Sequence, residues 1–158
     1  MGRRDMMYEL ACFALAAFLR RIDDDVQGVV SIIDQGGRSS QVEFEWTGWE
    51  EPLEGGPITR GANQTSIDAL VVARVPRGHR AYLLEWKYCE EYLHPDDKGL
   101  GRSGDTRRSR YQHLYRQPES SFNQTVPLDD FFFEPFYQIM RLRLLADRMV
   151  ASGVYATI

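Results

Sequence analysis

An α/β fold with a mixed central sheet flanked by helices is what this sequence predicts, and three observations carry that expectation. Good helix formers cluster near both ends of the chain, at about residues 6–22 and 134–151. Three strand-like runs lie between them, and a fourth closes the chain. Helices bracketing a series of strands favour a layered sheet with helices on its faces. With 158 residues, of which 43% are hydrophobic and 27% charged, the chain suits one globular domain with a real core. The expected organisation is a single domain over 1–158, with a basic insertion at about 93–124.

Residues 6–22 contain neither Gly nor Pro, and their near-continuous apolarity predicts a helix buried on more than one side. Arg3-Arg4 ahead of the apolar run from Leu10 to Leu19 imitates an export signal, but Asp5 and Glu9 interrupt it and no small-residue cleavage site follows. The run is about ten residues, half of what a bilayer requires, so no membrane segment is expected. Residues 29–33 are a short apolar run before Gly36-Gly37, read as a small strand or the end of a loop. Residues 42–47 alternate apolar with acidic, as a strand with one wet face does. Pro52, Gly55, Gly56, Pro57 and Gly61 make residues 50–63 a loop.

Two strands follow, at 66–72 and 81–88, rich in the β-branched, aromatic and aliphatic residues that strands favour. Pro76, Arg77 and Gly78 between them suit a tight hairpin. A two-residue loop at Arg77-Gly78 would set Asp68 opposite Lys87, and one at Pro76-Arg77 would set it opposite Glu85. Because side chains alternate faces along a strand, Asp68, Glu85 and Lys87 share one face in either register. Two carboxylates and an ammonium on one face suit a divalent-metal site that cleaves phosphodiesters. The same pattern would also arise from a solvated strand with a cross-strand Asp–Lys pair. Against that, carboxylates set in apolar strands are costly to leave unpaired, so a cation or a strong hydrogen-bond network is expected beside them.

Residues 94–124 lack clear apolar periodicity. Between residues 98 and 116, Lys98, Arg102, Arg107, Arg108, Arg110 and Arg116 face a single acid, Asp105, in a chain whose formal charge is −4. One reading is a solvated loop and a short amphipathic helix whose Tyr111 and Tyr115 pack on the core. The other is a phosphate-gripping surface of Lys98, Arg102, Arg107, Arg108 and Arg110, joined by Arg141, with the tyrosines stacking on bases. The last helix, at about 134–151, begins with Pro135 and ends before Gly153, with Ile139, Leu142, Ala146 and Met149 as its apolar stripe. Gln138, Arg141 and Arg148 share its polar arc. Cys12 and Cys89 have no Cys-x-x-Cys spacing, which points away from a zinc cluster or disulfide framework and towards a reducing, cytoplasmic setting.

This order of elements, with Asp68 and Glu85-Trp86-Lys87, resembles the PD-(D/E)XK nuclease superfamily and its restriction-endonuclease-like αβββαβ core. Residues 65–69, 84–92 and 134–141 are similar to a group of prokaryotic proteins described as PGN_0703-like restriction endonucleases. Ile67 stands where that superfamily often has Pro. The resemblance implies a Mg²⁺-dependent nuclease, with Mn²⁺ able to substitute, acting on DNA more readily than RNA in defence or repair, with a homodimer compatible with double-strand cutting. It implies that Asp68, Glu85 and the Trp86 carbonyl ligate the metal, with Glu9 of the first helix as a further ligand; Glu9 would otherwise simply favour the helix dipole. Lys87 would orient the attacking water and stabilise charge on the phosphate, and Gln138 would support the site. The alternative is an inactive nucleic-acid-binding or protein-interaction module on the same fold, against which the intact Asp68, Glu85 and Lys87 argue. A glycoside hydrolase would leave Lys87 and the basic stretch without a role.

Overall fold

The computed structural model describes residues 13–33, 37, 39–47, 53–54, 65–86, 98–122, 126–153 and 156–157. In chain order these form a helix over residues 13–19 (α1), then β1 (Gly28–Val29), β2 (Ile32–Ile33), β3 (Ser39–Ser40), β4 (Val42–Trp46), β5 (Ile67–Val75) and β6 (Gly78–Leu84). After them come α2 (Gly101–Tyr115), a 3-10 turn at Leu128–Phe131, α3 (Phe136–Ala151) and β7 (Ala156–Thr157). The fold is the α/β arrangement expected. Strands β1, β4 and β6 run antiparallel to β5, and β7 runs parallel to β6, so the sheet is mixed. No helix among the described residues is long and apolar enough to cross a membrane.

One edge of β5 carries a strand in two halves. Val29 pairs with Ala73, the Val30 amide donates to the Val72 carbonyl at 2.9 Å, and Val42 resumes the ladder at Val71. Between the halves the chain leaves the sheet as the small β2–β3 pair, so residues 29–33 supply parts of two short strands. The central strands are displaced towards their turn relative to the expected 66–72 and 81–88, because the ladder continues to Val75 and Gly78.

Alternation along β5 and β6 divides the core in two. Leu70, Ala81 and Leu83 pack with Tyr111 and Leu114 of α2 and with Tyr137, Met140, Leu144 and Leu145 of α3. Val71, Ala73 and Tyr82 point the other way, against Leu19 and Val26. Burying a side chain of this size contributes about 1.5–3 kcal/mol, so the two clusters fix which helix covers which face. The first helix departs from expectation, since Ala16 and Leu19 are buried while Phe13 and Phe18 are exposed. Among its described residues, 13–19, one side meets the sheet, and residues 6–12 of the expected helix lie outside the described residues.

The basic stretch also resolves into more order than its composition suggested. α2 is fifteen residues long, and its inward stripe is Gly104, Tyr111, Leu114 and Tyr115. At Gly104 an added Cβ would fall 1.9 Å from the Gly99 carbonyl oxygen, so only glycine fits there. In α3, which starts at Phe136 rather than Glu134, Leu142, Ala146 and Met149 are buried as expected, but Ile139 is exposed and Met140 takes the inward place. Gly153, with φ 85°, follows the helix in the left-handed conformation that suits glycine.

Asp23, just beyond α1, ties the first helix to the sheet. Its carboxylate accepts from the Tyr82 hydroxyl, from Arg80 and from the Asp25 amide. The Tyr82 hydrogen bond foremost, aided by Arg80, holds the Asp23 carboxyl below its ordinary 3.8. Burial first, then the Asp23 contact, pushes the Tyr82 hydroxyl up to about 12. A depressed folded-state pKa gives stability that is present above the ordinary value and lost as pH falls through the lower one. Asp23→Asn should therefore cost on the order of 2 kcal/mol at neutral pH, with the deficit against wild type shrinking below about pH 4, as thermal melts across pH would measure.

Candidate active site

The β5–β6 turn is Pro76-Arg77, because Val75 pairs with Gly78 and Ala69 with Leu84. Continued one residue, this register sets Asp68 level with Glu85, the second of the two arrangements open to the sequence. Asp68 lies two residues before Leu70 and Glu85 two after Leu83, so strand parity puts both carboxylates on the face that α3 covers. Both side chains are half-buried.

Each carboxylate is held from a different direction. The Trp86 backbone amide donates to Asp68 Oδ2 at 2.9 Å, which bridges the two strands just past the last ladder pair. From α3, the Gln138 side-chain amide donates to Glu85 Oε1. Charge-assisted bonds of this kind are stronger than neutral ones and orient the acceptor. Gln138, one of the candidate residues, is thus in contact with Glu85. Two carboxylates on one face are hard oxygen donors that fit Mg²⁺, which takes few protein ligands and keeps several waters. Among the described residues no group of three or more His, Cys, Asp or Glu is gathered for a metal. Glu9 and Lys87 lie outside the described residues.

One turn along α3 from Gln138, Arg141 enters a buried network that the sequence reading did not anticipate. Its Nε donates to Thr65 Oγ1 at 3.1 Å, and its Nη2 donates to Glu54 Oε1 at 3.2 Å. The Glu54 side chain is 1% exposed. It also accepts from the Thr65 amide at 3.1 Å and from the Tyr111 hydroxyl at 2.9 Å. Arg141 stands over the Tyr137 ring, 5.6 Å from its centroid, and Arg107 stands over the same ring at 5.6 Å. Burial alone would lower the Arg141 pKa, but Tyr111 and Glu54 more than offset it and the guanidinium is held above its ordinary value. Burial above all pushes the Tyr111 hydroxyl up.

A family model described as Restriction Endonuclease associating with ARP matches residues 13–157. The chain belongs to this family. No curated protein and no solved structure gives a significant match. Membership places the chain among nuclease-like proteins, and the paired carboxylates are the feature of this restriction-endonuclease family member that suits such chemistry.

The basic residues of this family member divide by what they touch. Arg102 on α2 is exposed and Arg110 is half-buried. Arg107 donates to the Lys98 carbonyl at 2.7 Å, and Lys98 Nζ lies 3.9 Å from Glu134. Arg108 grips Asp129 at 2.8 Å and Asp105 at 3.1 Å, and its guanidinium is held above its ordinary value chiefly by Asp129. Arg141 bonds to Glu54 and Thr65. Tyr111 and Tyr115 are buried, which excludes the base-stacking role considered for them and supports their packing on the core. Glu54 had no marker in the sequence, since it is one of three acids, with Glu50 and Glu51, in a Gly- and Pro-rich stretch.

The Gln138–Glu85 contact has a pH signature. Gln138→Glu would set a second carboxyl against Glu85, and two carboxylates in contact resist ionising together, which raises the pKa of the pair in the folded state. Stability from a raised pKa is complete below the unfolded value of about 4.3 and is lost as pH rises. The melting temperature of this variant should match wild type at about pH 4 and fall progressively below it by pH 8.

Proposed function

We propose that this protein is a divalent-metal-dependent nuclease of the PD-(D/E)XK type that hydrolyses DNA phosphodiester bonds. The reading is supported by the β5–β6 register, which carried one residue past Ala69 and Leu84 sets Asp68 level with Glu85, and by the separate donor each carboxylate has, in a chain of a restriction-endonuclease family. Asp68 and Glu85 would hold Mg²⁺, or Mn²⁺ in its place, with the Trp86 carbonyl and Glu9 completing the set. Bound there, such an ion would supply Lewis-acid polarisation of the phosphate and lower the pKa of a bound water.

The remaining work falls to the chain itself. Gln138 fixes the Glu85 carboxylate so that its second oxygen keeps one direction. Lys87 follows Glu85 by two residues in the sequence, the spacing that in a strand would share a face. There its ammonium would stabilise the charge that builds on the phosphate during attack. Arg102 and Arg110 of α2 would meet the nucleic-acid backbone, with the neighbouring Lys98, Arg107 and Arg108 adding to the local positive field. The family's description favours DNA over RNA, and cutting both strands of a duplex would call for two copies of the chain.

The test is cleavage of labelled single- and double-stranded DNA and RNA in Mg²⁺, in Mn²⁺ and in EDTA. Wild type should cut DNA with either metal and stop in EDTA. Asp68→Asn and Lys87→Ala should each lower the rate by about 10²–10³-fold. Undiminished cutting by Asp68→Asn, or by wild type in EDTA, contradicts the reading.

A further inference from the structure

We propose that Glu54 and Arg141 are positioning residues, which hold α3 and the lead into β5 in the one arrangement that sets Asp68 level with Glu85. The inference deepens the nuclease reading and rests on it for its catalytic consequence. Its geometry stands apart from that reading.

The contacts around the site close into a ring. From Asp68 the chain runs back three residues to Thr65, whose hydroxyl accepts from Arg141 Nε at 3.1 Å. Arg141 lies three residues beyond Gln138 on α3, the spacing that stacks two side chains on neighbouring turns of one face. Gln138 donates to Glu85. Next to Glu85, the Trp86 amide donates back to Asp68 at 2.9 Å. Glu54 sits at the far side of this ring, taking the Thr65 amide, the Arg141 guanidinium and the Tyr111 hydroxyl on one carboxylate. It therefore joins the β5 lead, α3 and α2 at a single point.

An apolar contact in this place would hold the same elements together with latitude for sliding. A buried carboxylate does not, because any shift that loses one partner strands a charge away from water. The side chains involved are buried accordingly, with Glu54 at 1% and Thr65 at 3% exposure. In the ring, Glu54 and Arg141 both bond to Thr65, and Arg141 shares a helix face with Gln138. They act through Thr65 and Gln138, which makes them positioning residues rather than catalytic ones.

The experiment uses the full chain as wild type, Glu54→Gln, and a double variant Glu54→Leu with Arg141→Met. The first readout is hydrogen exchange of the Trp86 amide by NMR, with the Leu70 and Leu83 amides as internal reference for the sheet. In both variants Trp86 should exchange about tenfold faster or more while Leu70 and Leu83 keep their protection. The second readout is turnover, where kcat should fall about 10²-fold with KM for DNA nearly unchanged, as expected when reacting groups are misplaced by about an ångström. The double variant tests the idea even if Glu54→Gln fails to fold, since an apolar pair commonly restores the stability of a lost buried ion pair. It should regain the wild-type melting temperature without regaining Trp86 protection or turnover. Wild-type Trp86 exchange in the folded double variant, or an unprotected Trp86 in wild type, overturns the proposal. If wild type binds but does not cut nucleic acid, the nuclease reading fails, and Trp86 exchange alone still decides the positioning role.

Discussion

The rest of the structure depends on how one buried charge is satisfied. Removing a carboxylate from water costs several kcal/mol unless partners replace the lost hydration. For Glu54 those partners are Arg141, Thr65 and Tyr111, contributed by α3, the lead into β5 and α2. Three separate segments thus meet at one point beside the core around Met140 and Leu70. Tyr137, packed edge-on against Tyr111 and flanked by Arg107 and Arg141, occupies the space this meeting creates. The face of the sheet that carries Asp68 and Glu85 is consequently the more constrained one. The opposite face relies on Leu19, Val26, Val71, Ala73 and Tyr82, with Asp23 as its polar tie.

How much of this was legible in the sequence follows from the range of each interaction. The hairpin was readable because strand alternation and a Pro-containing turn are local signals, and they placed Asp68 and Glu85 on one face. The register was not decided locally, because two adjacent turn positions were equally plausible. The ladder settles it, with Val75 opposite Gly78. Gln138 was readable as part of a helix face, and its partner Glu85 lies 53 residues away.

Three features escaped for physical reasons. α2 has no apolar periodicity in its first half because Arg107 and Arg108 stand on the inward side, over the rings of Tyr137 and Phe132. Long arginine stems cover apolar surface while their heads stay polar, so a hydropathy pattern misses them. Glu54 escaped because its contacts to Tyr111 and Arg141 span 57 and 87 residues, and nothing in its own neighbourhood distinguishes it. α1 was misjudged in the opposite sense. Near-continuous apolarity suggested burial on more than one side, yet among the described residues 13–19 Phe13 and Phe18 are exposed while Ala16 and Leu19 are buried.

The chain belongs to a restriction-endonuclease family, and the end of its hairpin brings the Asp68 and Glu85 carboxylates near one another. Whether Asp68 and Glu85 form one metal centre is tested most directly by titrating Mn²⁺ into the protein and following paramagnetic broadening of its NMR signals. At substoichiometric metal, the amides of Asp68, Glu85 and Trp86 and the side-chain amide of Gln138 should broaden first, and Asp68→Asn should abolish the effect. Broadening that begins elsewhere in the chain, or that survives unchanged in Asp68→Asn, would contradict the account.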